Sequence, residues 1–141
     1  MQPMRVLIVD DMPQVRQGLR TLLPLAGQAA GLPLEIVGEA GDGQEAIQCS
    51  AALRPDVVLM DLEMPELDGY AATQAIKAGY PGTRVVALTV HGEPQARQRA
   101  QAAGVDAFVE KGAALPLLLQ AMRGGTEPST LWREKCDEPE N

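Results

Sequence analysis

Val57-Val58-Leu59-Met60-Asp61-Leu62-Glu63-Met64-Pro65-Glu66-Leu67-Asp68-Gly69 runs four apolar residues directly into an aspartate. An unbroken apolar run of this length reads as a strand covered on both faces, the pattern of a parallel sheet. Asp61 stands where that strand ends. Pro65 and the Asp68-Gly69 pair mark a loop and its exit. In open parallel sheets, ligands bind beyond the carboxyl ends of the strands, so Asp61 occupies the position of a working group.

The same unit recurs on either side. Residues 5–9 form an apolar run that ends at Asp10-Asp11, and Pro13 suits the first turn of a helix carrying Val15, Leu19, Leu22 and Leu23 inward. Pro24 and Gly27 are expected to weaken or end that helix, leaving residues 26–33 as a loose connection. Residues 34–38 alternate as a second strand nearer a sheet edge. Gly41-Asp42-Gly43 turns the chain into a short helix with Ala46, Ile47 and Ala51 inward, stopped before Pro55. After the strand at 57–60, residues 70–78 form a third helix with Ala72 and Ile76 inward, broken by Gly79-Tyr80-Pro81-Gly82. A fourth strand at 84–88 ends at Thr89. The fourth helix begins around His91-Gly92-Glu93-Pro94, shows only alanines on its apolar side (Ala96, Ala100, Ala103) and is capped by Gly104. Residues 105–109 form a fifth strand with Lys111 just beyond it. Leu115, Leu118, Leu119 and Met122 give the last helix, ended by Gly124-Gly125. Five strand-then-helix units with right-handed crossovers predict an α/β fold: a doubly wound, five-stranded parallel sheet with helices on both faces.

Composition agrees. The 141 residues suit one core; 45% are apolar and only 3% aromatic, so the core must be aliphatic. A net charge of −7 argues against this domain holding bare nucleic acid, which needs clustered Lys and Arg. The two cysteines, Cys49 and Cys136, form no metal or redox motif. No apolar run approaches membrane-spanning length, and the start reads directly into a strand rather than a signal peptide, so a cytoplasmic setting is expected. Residues 1–125 form the domain; 126–141, with Pro128, Pro139 and several acids, read as a linker or flexible tail. The single tryptophan, Trp132, falls in that tail and is expected to make a loose packing contact.

Four of the five strands end in side chains able to do chemistry: Asp10 and Asp11, Asp61, Thr89 and Lys111. A doubly wound sheet brings these ends to one edge. Unit charges about 4 Å apart interact by roughly 4 kcal/mol at an effective dielectric near 20, so crowded carboxylates need a cation or must take up protons. Lys111 compensates for one. A hard divalent ion, Mg²⁺ by preference, compensates for more through oxygen ligands. Such an ion also takes phosphate oxygens, so a carboxylate nucleophile acting on a phosphoryl group is the natural chemistry, with Thr89 and Lys111 holding the other oxygens.

With these residues in view, the chain resembles the receiver domains of two-component response regulators, whose fold is the flavodoxin/CheY-like (βα)5 arrangement. The resemblance rests on Val6-Leu7-Ile8-Val9-Asp10-Asp11, on Asp61 through Asp68-Gly69, on Leu88-Thr89 and on Ala103-Gly104-Val105-Asp106-Ala107-Phe108-Val109-Glu110-Lys111, and covers about residues 4–124. Gly38-Glu39-Ala40 and the Leu88-Thr89-Val90-His91 form are similar to NarL/LuxR-type receivers. The resemblance implies that Asp61 accepts a phosphoryl group from a sensor histidine kinase. It makes Asp11, Asp61 and the backbone carbonyl of Glu63 direct Mg²⁺ ligands, with Asp10 acting through a metal-bound water. It makes Thr89 the switch hydroxyl, Lys111 its phosphate-pairing partner, and Phe108 the aromatic switch position. It further implies an output face on helix four, strand five and helix five, possible homodimerisation linked to phosphorylation, and control of transcription through an output domain absent from this chain. Activity beyond self-catalysed phosphoryl transfer and autodephosphorylation is not expected.

Two positions depart from the common receiver pattern. Val90 is bulkier than the residue usual after the switch hydroxyl and is expected to slow phosphoryl entry and hydrolysis. Glu63 places a further acid at the mouth, able to orient water or to repel phosphodonors. His91, the single histidine, has no metal-like partners at suitable spacing and reads as a solvent-facing helix-start residue. Three other functions compete. An aspartyl-nucleophile phosphatase would use Glu63 as the acid two residues on, but the chain has no room for a substrate cap. A stand-alone or phosphorylation-independent interaction module would act through protein contacts alone. A flavodoxin-like nucleotide binder would want a glycine- or serine-rich loop where Asp10-Asp11-Met12-Pro13 stands.

Overall fold

The computed structural model describes residues 2–64, 68–89 and 93–124. Elements alternate in chain order: β1 (Met4–Val9), α1 (Pro13–Ala29), β2 (Leu34–Ala40), α2 (Gly43–Leu53), β3 (Val57–Asp61), α3 (Gly69–Gly79), β4 (Arg84–Thr89), α4 (Pro94–Ala103), β5 (Ala107–Glu110) and α5 (Leu115–Arg123). The strands make one sheet in the order β2-β1-β3-β4-β5, every neighbouring pair parallel. This is the doubly wound (βα)5 arrangement expected from the strand-and-helix alternation.

Period-two alternation sorts the strands' side chains into two layers. Val6, Ile8, Val57, Leu59, Val86, Leu88, Ala107 and Val109 pack with Leu23 of α1 and Leu118, Leu119 and Met122 of α5. Leu7, Val9, Val58, Met60, Val85, Ala87 and Phe108 pack on the opposite face with Ala46 of α2, Ala72 and Ile76 of α3, and Ala100 of α4. β3 is buried along its whole length, as its unbroken apolar run requires. Asp42 and Asp68 cap α2 and α3 by accepting from the amides of Glu45 and Ala71, at 2.8 and 2.9 Å.

Several sequence expectations are corrected. α1 does not stop at Pro24 or Gly27; it runs through both to Ala29. Leu23 and Gly27 are buried in that last stretch, and a Cβ on Gly27 would lie 2.4 Å from the Leu32 carbonyl oxygen and 2.9 Å from Leu34 Cγ. This close packing outweighs the hydrogen bond that Pro24 cannot make. Leu22 points outward and is half exposed. In α2 the inward residue of the third turn is Ser50, while Ala51 is exposed. β2 extends past Gly38 because Glu39 and Ala40 pair with Ile8 and Val9. β5 begins at Ala107 rather than Val105, whose amide is still bonded to the Ala100 carbonyl at the end of α4. Gly104 caps that helix with φ +103°, as expected. The inward face of α4 holds not three alanines but Ala100, Ala103 and Arg97, which is 8% exposed, with Ala96 only partly covered.

Candidate functional site

The four strands that end in reactive side chains are contiguous in the sheet: β1, β3, β4 and β5. β2, whose end lacks such a residue, lies at the edge. Asp10 follows β1, Asp61 closes β3, Thr89 closes β4 and Lys111 follows β5, so the sequence spacing brings them to one rim. Asp10 and Asp61 are 1% and 2% exposed, and Thr89 is 1% exposed. Asp11 is exposed at the mouth. Carboxylate oxygens of Asp10, Asp11 and Asp61 lie within 4.8 Å of one another.

Lys111 lies against two of the acids, its Nζ 2.8 Å from Asp10 Oδ2 and 3.4 Å from Asp61 Oδ2. Its backbone amide donates to the Thr89 carbonyl at 2.7 Å, which anchors the loop after β5 to the end of β4. Loop amides take the other carboxylate oxygens: Met12 N–H donates to Asp10 Oδ1 at 2.9 Å and Glu63 N–H to Asp61 Oδ1 at 3.0 Å. Gly69 packs directly beneath the acid. A Cβ there would sit 2.3 Å from the Asp61 carbonyl oxygen and 2.8 Å from Leu62 Cα, so only glycine lets α3 start this close to the strand end.

Burial dominates the electrostatics. It raises the Asp61 carboxyl from 3.8 to about 6 against the opposing pull of the Glu63 amide and the Lys111 charge, while the neighbouring Asp10 raises it further. Burial also works against the Lys111 ammonium, yet its hydrogen bonding to Asp10 and the charge on Asp61 outweigh this and lift Lys111 above the ordinary lysine value. Three carboxylates against one ammonium leave two negative charges uncompensated at the rim. Asp10 is buried, and its Oδ2 is met by Lys111 Nζ at 2.8 Å. An all-oxygen donor set with that uncompensated charge fits a hard divalent cation.

The remaining expected site residues are placed as follows. Glu63 is exposed beside Asp61 on the loop after β3. Phe108 stands outside the acid cluster, packed in the core on β5 with the Arg97 guanidinium 5.8 Å from its ring centre. Val90, His91, Trp132 and Cys136 lie outside the described residues, as does the stretch 126–141. Cys49 is half-buried and free, its thiol raised by burial. Sequence reading missed two residues that shape the site. Arg16 on α1 donates from Nη1 to the Asp10 carbonyl at 2.5 Å, and a helix-surface arginine gives no signal of such a contact. Gly69 was visible only as part of a loop exit, because the steric need for it arises in three dimensions.

Known proteins share this fold. The family model described as response regulator receiver domain matches residues 6–123. The response regulator GacA of Pseudomonas viridiflava is 40% identical over 120 residues, covering 84% of this chain and 53% of that protein. This chain therefore spans about half the length of the curated relatives it matches. A two-component response regulator of the LuxR family from Aurantimonas sp. SI85-9A1 superposes with a TM-score of 0.82 at 28% identity, over 99% of this chain and 100% of that one. The CheX-CheY-BeF3-Mg²⁺ complex of Borrelia burgdorferi matches with a TM-score of 0.73 at 25% identity, over 86% of this chain and 88% of that one. Among the described residues, no helix is long and apolar enough to cross a membrane.

Proposed function

Since the chain belongs to the response regulator receiver domain family, we propose that it accepts a phosphoryl group on Asp61 from the phosphohistidine of a sensor kinase and passes the change to the face formed by α4, β5 and α5. The observation that carries this reading is the buried Asp61 carboxylate set between Asp10 and Lys111 at the rim shared by four adjoining strands. In the transfer, an Asp61 carboxylate oxygen bonds to phosphorus. The phosphorus–nitrogen bond to the donor imidazole breaks, and that ring leaves with the electron pair.

Asp11, Asp61 and the Glu63 carbonyl, with Asp10 acting through water, would hold Mg²⁺, which supplies charge neutralisation for the phosphoryl oxygens. The chain's own groups do the rest. Lys111 offsets the Asp10 charge and gives the product phosphate a cation to pair with. The Glu63 amide fixes which Asp61 oxygen remains free to attack. Thr89 provides a hydroxyl at the end of the neighbouring strand, and Phe108, the second residue of β5, provides the aromatic partner of the switch. The domain from 1 to 125 works in the cytoplasm and binds neither nucleic acid nor membrane itself. It acts as a homodimer when phosphorylated and controls transcription through an output unit outside this chain.

Intact-mass measurement after incubation with acetyl phosphate and Mg²⁺ tests the reading. One added phosphoryl group, dependent on Mg²⁺ and lost in Asp61→Asn, is expected. No mass gain, or a gain that survives in Asp61→Asn, would overturn the assignment. Concentration-dependent mass that phosphorylation leaves unchanged would remove the dimer from it.

A further inference from the structure

The Asp10-Asp11 peptide is held by a side chain from outside the acid cluster. We propose that Arg16 is a positioning residue for the metal site: braced by Glu39, its guanidinium fixes the peptide between Asp10 and Asp11 and so sets the direction of the Asp11 carboxylate. The inference deepens the reading of the acid cluster as a Mg²⁺ site and rests on it.

Asp10 is restrained at every polar atom. Its amide donates to the Ala40 carbonyl at 3.0 Å, its Oδ1 accepts from Met12 N–H, its Oδ2 pairs with Lys111, and its carbonyl oxygen accepts from Arg16 Nη1 at 2.5 Å. Asp11 differs. It is exposed and takes part in no hydrogen bond or ion pair among the described residues. Its direction is therefore governed by the backbone it hangs from. A peptide unit is planar, so the carbonyl that Arg16 holds belongs to the same rigid plate as the Asp11 amide. Rotation of that plate would swing the Asp11 side chain relative to Asp10 and Asp61.

Arg16 is itself held firmly. Its Nε donates to Glu39 Oε1 at 3.1 Å, and its side chain is 20% exposed. Glu39 lies on β2 beside the end of β1, and its second oxygen accepts from Arg20 at 2.5 Å. The Arg20 hydrogen bond, opposed by burial and aided by Arg16, keeps Glu39 below the usual carboxylate range. The planar guanidinium makes two divergent contacts from one rigid fork, which a lysine ammonium cannot reproduce.

Geometry and charge predict opposite results, so the inference can be tested by sign. A guanidinium near three carboxylates repels a cation, and its removal by charge alone would tighten Mg²⁺ binding. Removal of a group that orients a ligand weakens metal binding, by about tenfold or more. The experiment is Mg²⁺ titration of the full chain, followed by calorimetry and by the amide resonances of Asp11 and Met12, for wild type, Arg16→Met, Arg16→Lys and Asp11→Asn. Weaker binding by about tenfold is expected in both Arg16 variants. Equal or tighter binding in either folded variant would overturn the inference. A purely structural arginine would lower the metal-free melting temperature and leave the Mg²⁺ dissociation constant unchanged, which also counts against it. If Arg16→Met fails to fold, Arg16→Lys decides. No Mg²⁺ binding by wild type, or undiminished binding by Asp11→Asn, would instead overturn the metal reading and this inference with it.

Discussion

Asp61→Asn should stabilise the metal-free protein, and the gain should depend on pH in a defined way. The Asp61 carboxyl titrates at 3.8 in an open chain and at about 6 in the fold, chiefly because burial disfavours its charge. A raised carboxyl pKa means that the folded state binds the extra proton between these values. Stability therefore falls as pH rises through that window, and the whole penalty is present above it. The difference of about two units corresponds to about 3 kcal/mol at about pH 8, and to roughly half of that at about pH 5. Asparagine has the same shape, is neutral at any pH, and still accepts the Glu63 amide bond. The variant should thus exceed wild type by about 3 kcal/mol in urea unfolding with chelator at about pH 8, with the advantage shrinking by about half at about pH 5. Added Mg²⁺ should narrow the gap from the other side, since it binds the folded wild type in preference. A variant no more stable than wild type at high pH, or a gain that does not change with pH, would refute the claim that Asp61 is held at an electrostatic cost.

Other perturbations follow from the same geometry. Gly69→Ala places a Cβ 2.3 Å from the Asp61 carbonyl oxygen, against backbone that no rotamer change can move; a loss of about 1–3 kcal/mol in urea unfolding is expected, together with slower phosphorylation by acetyl phosphate. Lys111→Met leaves Asp10 and Asp61 buried without their cation; the loss should be about 3 kcal/mol at neutral pH, partly recovered by Mg²⁺, and full stability in chelator would contradict the pairing. Pro24→Ala restores a hydrogen bond inside α1 and should raise stability by about 2 kcal/mol after allowing for the more flexible unfolded chain; a loss would mean that the ring packing matters more. Arg97→Met keeps the stem against Phe108 and removes a buried Nε that has no hydrogen-bond partner; thermal unfolding should show no loss, or a gain of about 1 kcal/mol.

Much of the fold was legible because its signals are local. An apolar run such as 57–60 is read from adjacent residues, and five such runs between helical periods leave few topologies. The rim was legible for the same reason: Asp61 and Thr89 close their strands, and Asp10 and Lys111 directly follow theirs. What could not be read depended on partners distant in sequence. Pro24 predicts a break, yet Gly27 packs so closely on Leu32 and Leu34 that the helix continues. Glu39 and Ala40 join β2 only because Ile8 and Val9 are there to pair with. In α2 a shift of one residue in helical phase exchanges Ala51 for Ser50, and side-chain polarity argued for the wrong one. Arg97 gave no sequence signal of burial, since arginine usually faces solvent; its stem fills space that alanines leave beside Phe108.

The two layers also bear on where a signal can go. Lys111 precedes α5 and Asp10 precedes α1, and these helices bury Leu23, Leu118, Leu119 and Met122 against the sheet. α4, reached from Thr89, buries Ala100 and Ala103 and the stem of Arg97. Apolar burial contributes about 25 cal/mol per Å², so alanines hold a helix far less firmly than leucines do. The face of α4, β5 and α5 is then not uniform. If Asp61 carries the phosphoryl group as proposed, that group would pull on Lys111, which is fixed to a heavily packed wall, and on Thr89, which leads into the lightly packed helix. Movement follows the element with the least buried area to lose. On that reading α4 should carry the displacement while α5 provides the surface against which it is read, and Arg97 over Phe108 would be a contact through which a shift of α4 reaches β5.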